Sequence, residues 1–523
     1  MTTIRLIVVL FISLLLISFL VFIFKNSDSK KTMVERGSFL PAKSMGENSR
    51  VKDYVLEIVG MGVTYEKYRQ LSFLEAIQKK SSYSTIREED PKKYPWSAND
   101  KRGVGGGRAI DALENGIAAT PMYWGIPSLY AGATRINKYR IPSDIRPVLG
   151  LVGAAGSSGM AWHLFVNGPW NLSERPDHIF EIAFSFFDEH PDAPYVVISA
   201  NDTMERRESD QADDAPSLIR DGYYIPERPD STVVFVLARR ERVEFIRKFS
   251  WEDIDNRFGQ EKFRMMYYDL KKKVPHHERE KDPKGYHSRA PTITEWLAAT
   301  SEFVKRPDVR NAWGTPEQRA NWKPTPWFPV PWSKEQLATF DRLPTLGFVH
   351  RPVFVKMTDN DGKLLPQGQA RTDALKAGWQ EALATLSDTE RKSGPARLIT
   401  GTDNNTDQAL TLHAMLRDYA EQGGSRYDLK NQKQFIDTDR RLGNTGAATW
   451  FMQMAIGVMG SYRDGGVSAA VNLRDPAEAS IVFISPPPDD KRKTQQHPNG
   501  GDVFGHNVEP MYDPDHYSDP GTK

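Results

Sequence analysis

The chain has 523 residues, 39% of them apolar and 26% charged, with 69 Lys and Arg against 68 Asp and Glu and no cysteine. That length exceeds what one core serves, so two or more packed units are expected, and the negative mean hydropathy excludes a multi-span membrane protein. Balanced charge excludes nucleic acid as a partner, because no net field exists to hold a polyanion. The lack of cysteine excludes disulfides, thiolate metal sites, a thiol nucleophile and a lipid-modified cysteine, and leaves the compartment open.

Leu6 to Phe24 is an apolar run relieved only by Ser13 and Ser18, long enough to cross the roughly 30 Å hydrocarbon layer as a helix. No small-x-small cleavage site follows at Phe24, Lys25 and Asn26. The expectation is one uncleaved transmembrane anchor in residues 1–25, with the membrane as a partner through residues 6–24. Lys25, Lys30 and Lys31 outnumber Arg5 and lean toward a cytoplasmic body, whereas a very short N-terminal tail leans toward a periplasmic one. Residues 26–50 are polar and read as a juxtamembrane linker.

The body begins near Val51, with a strand expected at Val55 to Val59 and a helix at Tyr65 to Lys79 built on Tyr68, Leu71, Leu74, Ala76 and Ile77. Gly103, Gly105, Gly106 and Gly107 precede a helix expected from Ala109, where backbone amides could receive an anion. No Lys-Ser or Lys-Thr follows to complete a phosphate loop, so a packed or flexible loop is the plainer reading. Gly156, Ser157, Ser158 and Gly159 miss the G-x-S-x-G offsets of a hydrolase elbow and read as a glycine turn. A strand at His163 to Val166 leads to a helix at Asp177 to His190, whose face is Ile179, Ile182, Ala183, Phe186 and Phe187. The strand Tyr195 to Ser199 follows and ends in Asn201 and Asp202.

Residues 251–344 differ in texture, carrying Trp296, Trp313, Trp322, Trp327 and Trp332 with prolines interspersed between Lys323 and Trp332. They read as an extended connection on a lobe surface, since proline suits neither a central strand nor a helix interior. His276 and His277 stand among Glu278, Arg279, Glu280 and Lys281, and without a third ligand they read as a solvated charged segment. The second lobe places a strand at Val353 to Met357 and a helix at Ala370 to Leu386, faced by Leu375, Trp379, Ala382, Leu383 and Leu386. A strand at Arg397 to Thr400 and the polar turn Asp403, Asn404, Asn405 complete it.

Both stretches have the β-α-β order of a parallel sheet with a covering helix. The fold class expected is therefore α/β, as two α/β lobes behind one N-terminal transmembrane helix, an N-terminal lobe at 51–250 and a C-terminal lobe at 345–486. The lobes are related by duplication or alike by chance. Asp202, Asp403 and Asp407 follow strand ends, where α/β folds bind ligands, but Asp and Asn also serve turns and helix caps there.

Arg440 and Arg441 open a segment through Gly446, with Asn444 or Thr445 able to cap a helix striped by Trp450, Phe451, Met454 and Val458. These paired arginines are the candidate partner-binding residues, since exposed they would suit an acidic surface. After Tyr462, the turn Asp464, Gly465, Gly466 leads into a hairpin of Val467 to Asn472 with Ile481 to Ser485. Residues 487–523 read as a disordered tail holding His497, His506 and His516. No catalytic residue, metal or cofactor is expected.

Longer phrases carry a resemblance: DPKKYPWSANDKRGVGGGRAIDALENG at Asp90 to Gly116, RDGYYIPERPDS at Arg220 to Ser231 and KPTPWFPVPW at Lys323 to Trp332. LGFVHRPVFVKMTD at Leu346 to Asp359, RRLGNTGAATWFMQ at Arg440 to Gln453, and DGGVSAAVNLRD with ASIVFISPP continue it. In these the chain resembles the type VI lipase adapter family. The resemblance implies an adapter that binds a phospholipase effector and helps load it onto the VgrG spike protein of the secretion machine, and it carries over no binding residue. Loading before secretion favours an inner-membrane protein with its body on the cytoplasmic side over a periplasmic one. The competing readings are an envelope hydrolase whose site converges only in three dimensions and an immunity protein that masks the lipase.

Overall fold

In the computed structural model, residues 54–132, 151, 160, 162–171, 175–209, 216–273 and 290–505 are described. The expected anchor at 6–24, the linker at 26–50, Gly156 to Gly159, His276, His277, His506 and His516 lie outside them. Among the described residues no helix is long and apolar enough to cross a membrane.

The expected first strand is longer than its apolar core, running as β1 over Leu56–Tyr65 and turning back at once into β2, Tyr68–Arg69. That hairpin delays the helix expected from Tyr65, which begins as α1 at Leu71–Lys79. The glycine-rich stretch is not a loop. Ser97 accepts a hydrogen bond from the Asp100 amide and caps α2, Ala98–Ile117, so the glycines lie inside the helix and their amides have no place for an anion. Interior glycine costs a helix about 1 kcal/mol against alanine. At Gly116 close packing on the sheet offsets it, since a Cβ there would lie 2.3 Å from the Val234 side chain; from the strand side Gly62 of β1 approaches as closely, its Cβ 1.7 Å from the Ala112 carbonyl oxygen.

The remaining strands of this half are β3 (Gly125–Ala131), β4 (Leu164–Asn171), β5 (Tyr195–Asp202) and β6 (Ser231–Ala238), with α3 (His178–Glu189) between β4 and β5. The connection that follows contains α4 (Arg264–Lys271), α5 (Ile293–Phe303) and α6 (Lys334–Asp341). The second half holds β7 (Gly347–Val349), β8 (Val353–Lys356), α7 (Gln369–Ala384), β9 (Arg397–Gly401), α8 (Thr406–Glu421) and β10 (Phe435–Asp437). It ends with α9 (Thr438–Leu442), α10 (Thr449–Asp464), β11 (Ser468–Asn472), β12 (Glu478–Ser485) and α11 (Asp489–Thr494).

The first half runs β1-β6-β5-β3-β4 across the sheet. The second runs β12-β11-β9-β10 beside β7 and β8, which pair with successive parts of β12 and act as one strand interrupted around Pro352. In each half the first strand is antiparallel to the last and the last to the fourth, while the fourth, second and third are parallel. One topology therefore occurs twice. The halves are not separate lobes, because β1 pairs antiparallel with β7 through Leu56↔Val349 and Ile58↔Gly347, making one 12-stranded mixed sheet. The stretches compared in the sequence are also not equivalent: by position, β4-α3-β5 matches β10 to β11, and β8-α7-β9 matches β1 to β3. A β-α-β pattern carries no strand index, so pattern alone cannot set that correspondence.

Alternation along the second-half strands sets the layers. Ile399, Ala470, Val482 and Ile484 join the core around α10, while Leu398, Ala469, Val471, Ile481 and Phe483 face α7 and α8. Every residue of α10 from Thr449 to Tyr462 is buried, so its apolar surface is not the single stripe expected. It touches β9, β11 and β12 of its own half and β1 and β6 of the other. Phe451 meets Phe180 of α3 at 5.3 Å and Phe235 of β6 at 6.0 Å.

The tryptophan-rich connection is not an extended strap. Pro307 and Pro316 stand in the first turns of short helices, and capping boxes at Thr292–Glu295 and Ser333–Gln336 start α5 and α6. The stretch from 322 to 332 is irregular, as its prolines require. Trp296, Trp313, Trp322, Trp327 and Trp332 are all buried, and Trp124 packs against Trp327 and Trp332 at 5.6 Å each. Large aromatic side chains make this segment core rather than surface. Residues 487–505 pack on the body: Gln495 bonds the backbone of Thr345, and Phe504 is fully buried with its carbonyl accepting from the Leu71 amide. Their polar composition concealed the apolar anchors Val503 and Phe504.

Candidate partner interface

The paired arginines separate at α9. Asp437 caps this helix by accepting from the Arg440 amide at 3.1 Å, and Gly443, at φ 75°, ends it. Successive residues on a helix point about 100° apart, so the two side chains face different ways. Arg441 is 1% exposed and donates to the carbonyls of Ile77, Lys80 and Ser81, capping the C-terminal end of α1. Its own carbonyl accepts from the Ile86 amide at 2.9 Å and the Thr85 hydroxyl at 3.0 Å. Next to it, Tyr65 of β1 donates to the Leu442 carbonyl at 2.6 Å. Burial pulls the Arg441 guanidinium below its usual pKa, with no opposing carboxylate. Arg441 is thus a fastener between the halves and is closed to a partner.

Arg440 is exposed and lies 5.5 Å from the centre of the Tyr83 ring, which is itself 57% exposed. The two residues border an open groove of about 550 Å³ lined also by Lys80, Ser81, Ser84, Thr85 and Glu89. Its floor is the 80–89 loop that Arg441 pins from beneath. Arg87 ties this loop to the neighbouring 216–226 segment through the Pro226 carbonyl, and that segment exposes Leu218, Tyr223 and Ile225.

The carboxylates at the strand ends are structural. Asp202 is buried at the end of β5, pairs with Arg207 at 2.9 Å and accepts from the Ala447 amide at 2.7 Å, so it holds the start of α10. Asp403 sits in a left-handed turn, φ 56°, and meets Arg474 at 3.1 Å. Asp407 lies in the first turn of α8, where Asn405 is the cap, accepting from the Asp407 amide at 2.9 Å. Asp439, not singled out in the sequence, accepts from the Thr402 and Asp403 amides at 2.6 and 2.7 Å and pairs with Arg474. Burial raises its carboxyl above the usual range, against the pull of Arg474 and the two amides. Glu66 is similar: burial raises it, opposed by the Tyr94 hydroxyl at 2.7 Å and by Arg108.

One serine–histidine pair comes together that no sequence motif marks. Ser485 Oγ lies 2.8 Å from His350 Nε2, and His350 Nδ1 lies 3.0 Å from the Thr385 carbonyl. Burial lowers the His350 pKa, so the imidazole is neutral near pH 7. With Ser485 6% and His350 4% exposed, the pair is closed to a substrate and ties the end of β12 to the interruption between β7 and β8. Only proximity across paired strands creates it, which spacing in the sequence does not report. His497 is buried as well, and among the described residues no group of three or more His, Asp or Glu could hold a metal ion.

Several solved structures align over most of the chain. The ishigamide ketosynthase/chain length factor matches at 10% identity over 83% of this chain and 99% of its own, with a TM-score of 0.39. Human mitochondrial 3-ketoacyl-CoA thiolase matches at 12% identity over 83% and 100%, with a TM-score of 0.34. The 3-oxoacyl-[acyl-carrier-protein] synthase III of Aquifex aeolicus VF5 matches at 11% identity over 82% and 99%, with a TM-score of 0.33. At these scores the likenesses carry no argument about activity. Family models are more informative: the N-terminal model of the type VI lipase adapter protein Tla3 matches residues 54–221, and the C-terminal model matches residues 346–486. With the two models matched in order over more than half of the chain, the chain belongs to the type VI lipase adapter protein Tla3 family.

Proposed function

We propose that this chain is a non-enzymatic adapter that binds a phospholipase effector and helps load it onto the VgrG spike protein. The observation that carries the reading is the match of both the N-terminal and the C-terminal family models, in order. The closed Ser485–His350 pair and the structural use of the strand-end carboxylates agree with a protein that works through a surface. In this reading residues 6–24 anchor the chain in the inner membrane, and the body lies on the cytoplasmic side, where effector and spike meet before secretion.

Co-purification of the full chain with a type VI phospholipase effector from the same genome tests the effector step, and addition of the spike protein tests loading. Capture of the lipase with its activity retained supports an adapter; capture with activity abolished supports an immunity protein instead. Alkaline phosphatase fused after Lys523 tests orientation: an inactive fusion fits the cytoplasmic side, and an active one moves loading to the periplasm.

A further inference from the structure

We infer that the groove between Tyr83 and Arg440 docks an acidic segment of the lipase effector, one that carries a carboxylate beside an apolar or aromatic side chain. This rests on the adapter reading and names the surface through which it acts.

Three observations converge on the groove. First, its charge is unbalanced. Lys80 and Arg440 line it against the single carboxylate of Glu89, and no carboxylate pairs with either cation among the described residues. An unpaired guanidinium with five fork-set donors is suited to a carboxylate delivered by another chain. Second, Tyr83 offers a large ring, 57% exposed, directly beneath that guanidinium. An apolar neighbour of the incoming carboxylate would cover this ring, and Tyr and Arg together are the residue types that dominate binding at interfaces. Third, the floor is fixed in advance. Arg441 holds the carbonyls of Lys80 and Ser81, and its own carbonyl holds Thr85 and Ile86, so the loop loses little freedom when a partner arrives.

The groove opens beside α9, where Tyr65 at the C-terminal end of β1 bonds the Leu442 carbonyl. Loops from both halves build it, so an effector docked there would read a surface present only when the halves are joined.

Titration calorimetry of a type VI phospholipase effector from the same genome into the full chain in detergent tests the assignment. Arg440→Glu, Lys80→Glu and Tyr83→Ala are each expected to weaken binding about tenfold or more, whereas Glu89→Gln leaves affinity equal or higher. Raising salt from roughly 50 to 500 mM weakens the wild-type complex and has less effect on Arg440→Glu. Unchanged urea midpoints of the variants exclude misfolding as the cause. If the wild type binds the lipase and Arg440→Glu and Tyr83→Ala bind it equally well, the groove is the wrong surface and the adapter reading stands. A stronger complex with Arg440→Glu overturns the charge assignment, and a wild type that binds no lipase overturns both.

Discussion

Arg440 and Arg441 stand side by side in the chain, and their replacement should separate stability from binding. Arg441→Met keeps a long apolar stem but removes every donor, leaving the buried carbonyl of Ile77 and the part-buried carbonyls of Lys80 and Ser81 without their partner. A hydrogen bond to a charged group contributes about 1.5–3 kcal/mol, and a stranded buried acceptor costs about 1–3 kcal/mol. Against this, the guanidinium was buried without a carboxylate, so its removal recovers part of a desolvation cost. The balance is a loss of about 2–4 kcal/mol. Arg440→Met removes an exposed side chain over an exposed ring and should change stability by about 0.5 kcal/mol or less. Urea unfolding followed by the fluorescence of the 12 tryptophans resolves the two, most of those named above being buried near the sheet. Equal midpoints for Arg441→Met and the wild type would refute the fastener role, and a large drop for Arg440→Met would refute its free position.

Glycine offers a contrast of sign: Gly62→Ala drives a Cβ to 1.7 Å from the Ala112 carbonyl oxygen and should destabilise by several kcal/mol, whereas Gly106→Ala enters open space inside α2 and should stabilise by about 1 kcal/mol. Thermal melts of the two variants check both signs. Burial alone would raise the Glu478 carboxyl, but the His178 hydrogen bond at 2.9 Å and the Arg175 guanidinium outweigh it and hold the carboxyl below the usual range. Because the folded pKa is depressed, this contribution is present above about pH 4.3 and is lost as pH falls through the folded value. Glu478→Gln should therefore flatten the acid limb of melting temperature against pH below about 4.3, and an unchanged limb would count against the linkage. Fluorophosphonate should leave the folded chain unlabelled, since Ser485 is 6% exposed, and Ser485→Ala should cost about 1 kcal/mol in a urea titration. Labelling that disappears in Ser485→Ala would instead revive the hydrolase reading.

Local pattern reported the elements better than their assembly. The alternation around Val353 and the apolar spacing around Leu375 mark β8 and α7 because such elements bury one face, while the continuous run after Tyr195 marks β5, which is buried on both. The pairing of β1 with β7 joins residues almost three hundred positions apart and has no local signature. The glycines from 103 to 107 look like a loop until the Ser97 cap is seen to start the helix before them, and Trp327 and Trp332 look like surface decoration until they are found facing Trp124. At the groove, charge and pairing of the arginines were legible, but which one faces solvent was not. That depends on the phase of a five-residue helix against the end of α1.

The most direct test of the central claim is a binding measurement between the full chain in detergent and a type VI phospholipase effector from the same genome, with lipase turnover followed in the same mixture. A saturable complex in which the lipase still turns over is the predicted result. No complex across the micromolar range, or a complex in which turnover is abolished, would contradict the adapter reading.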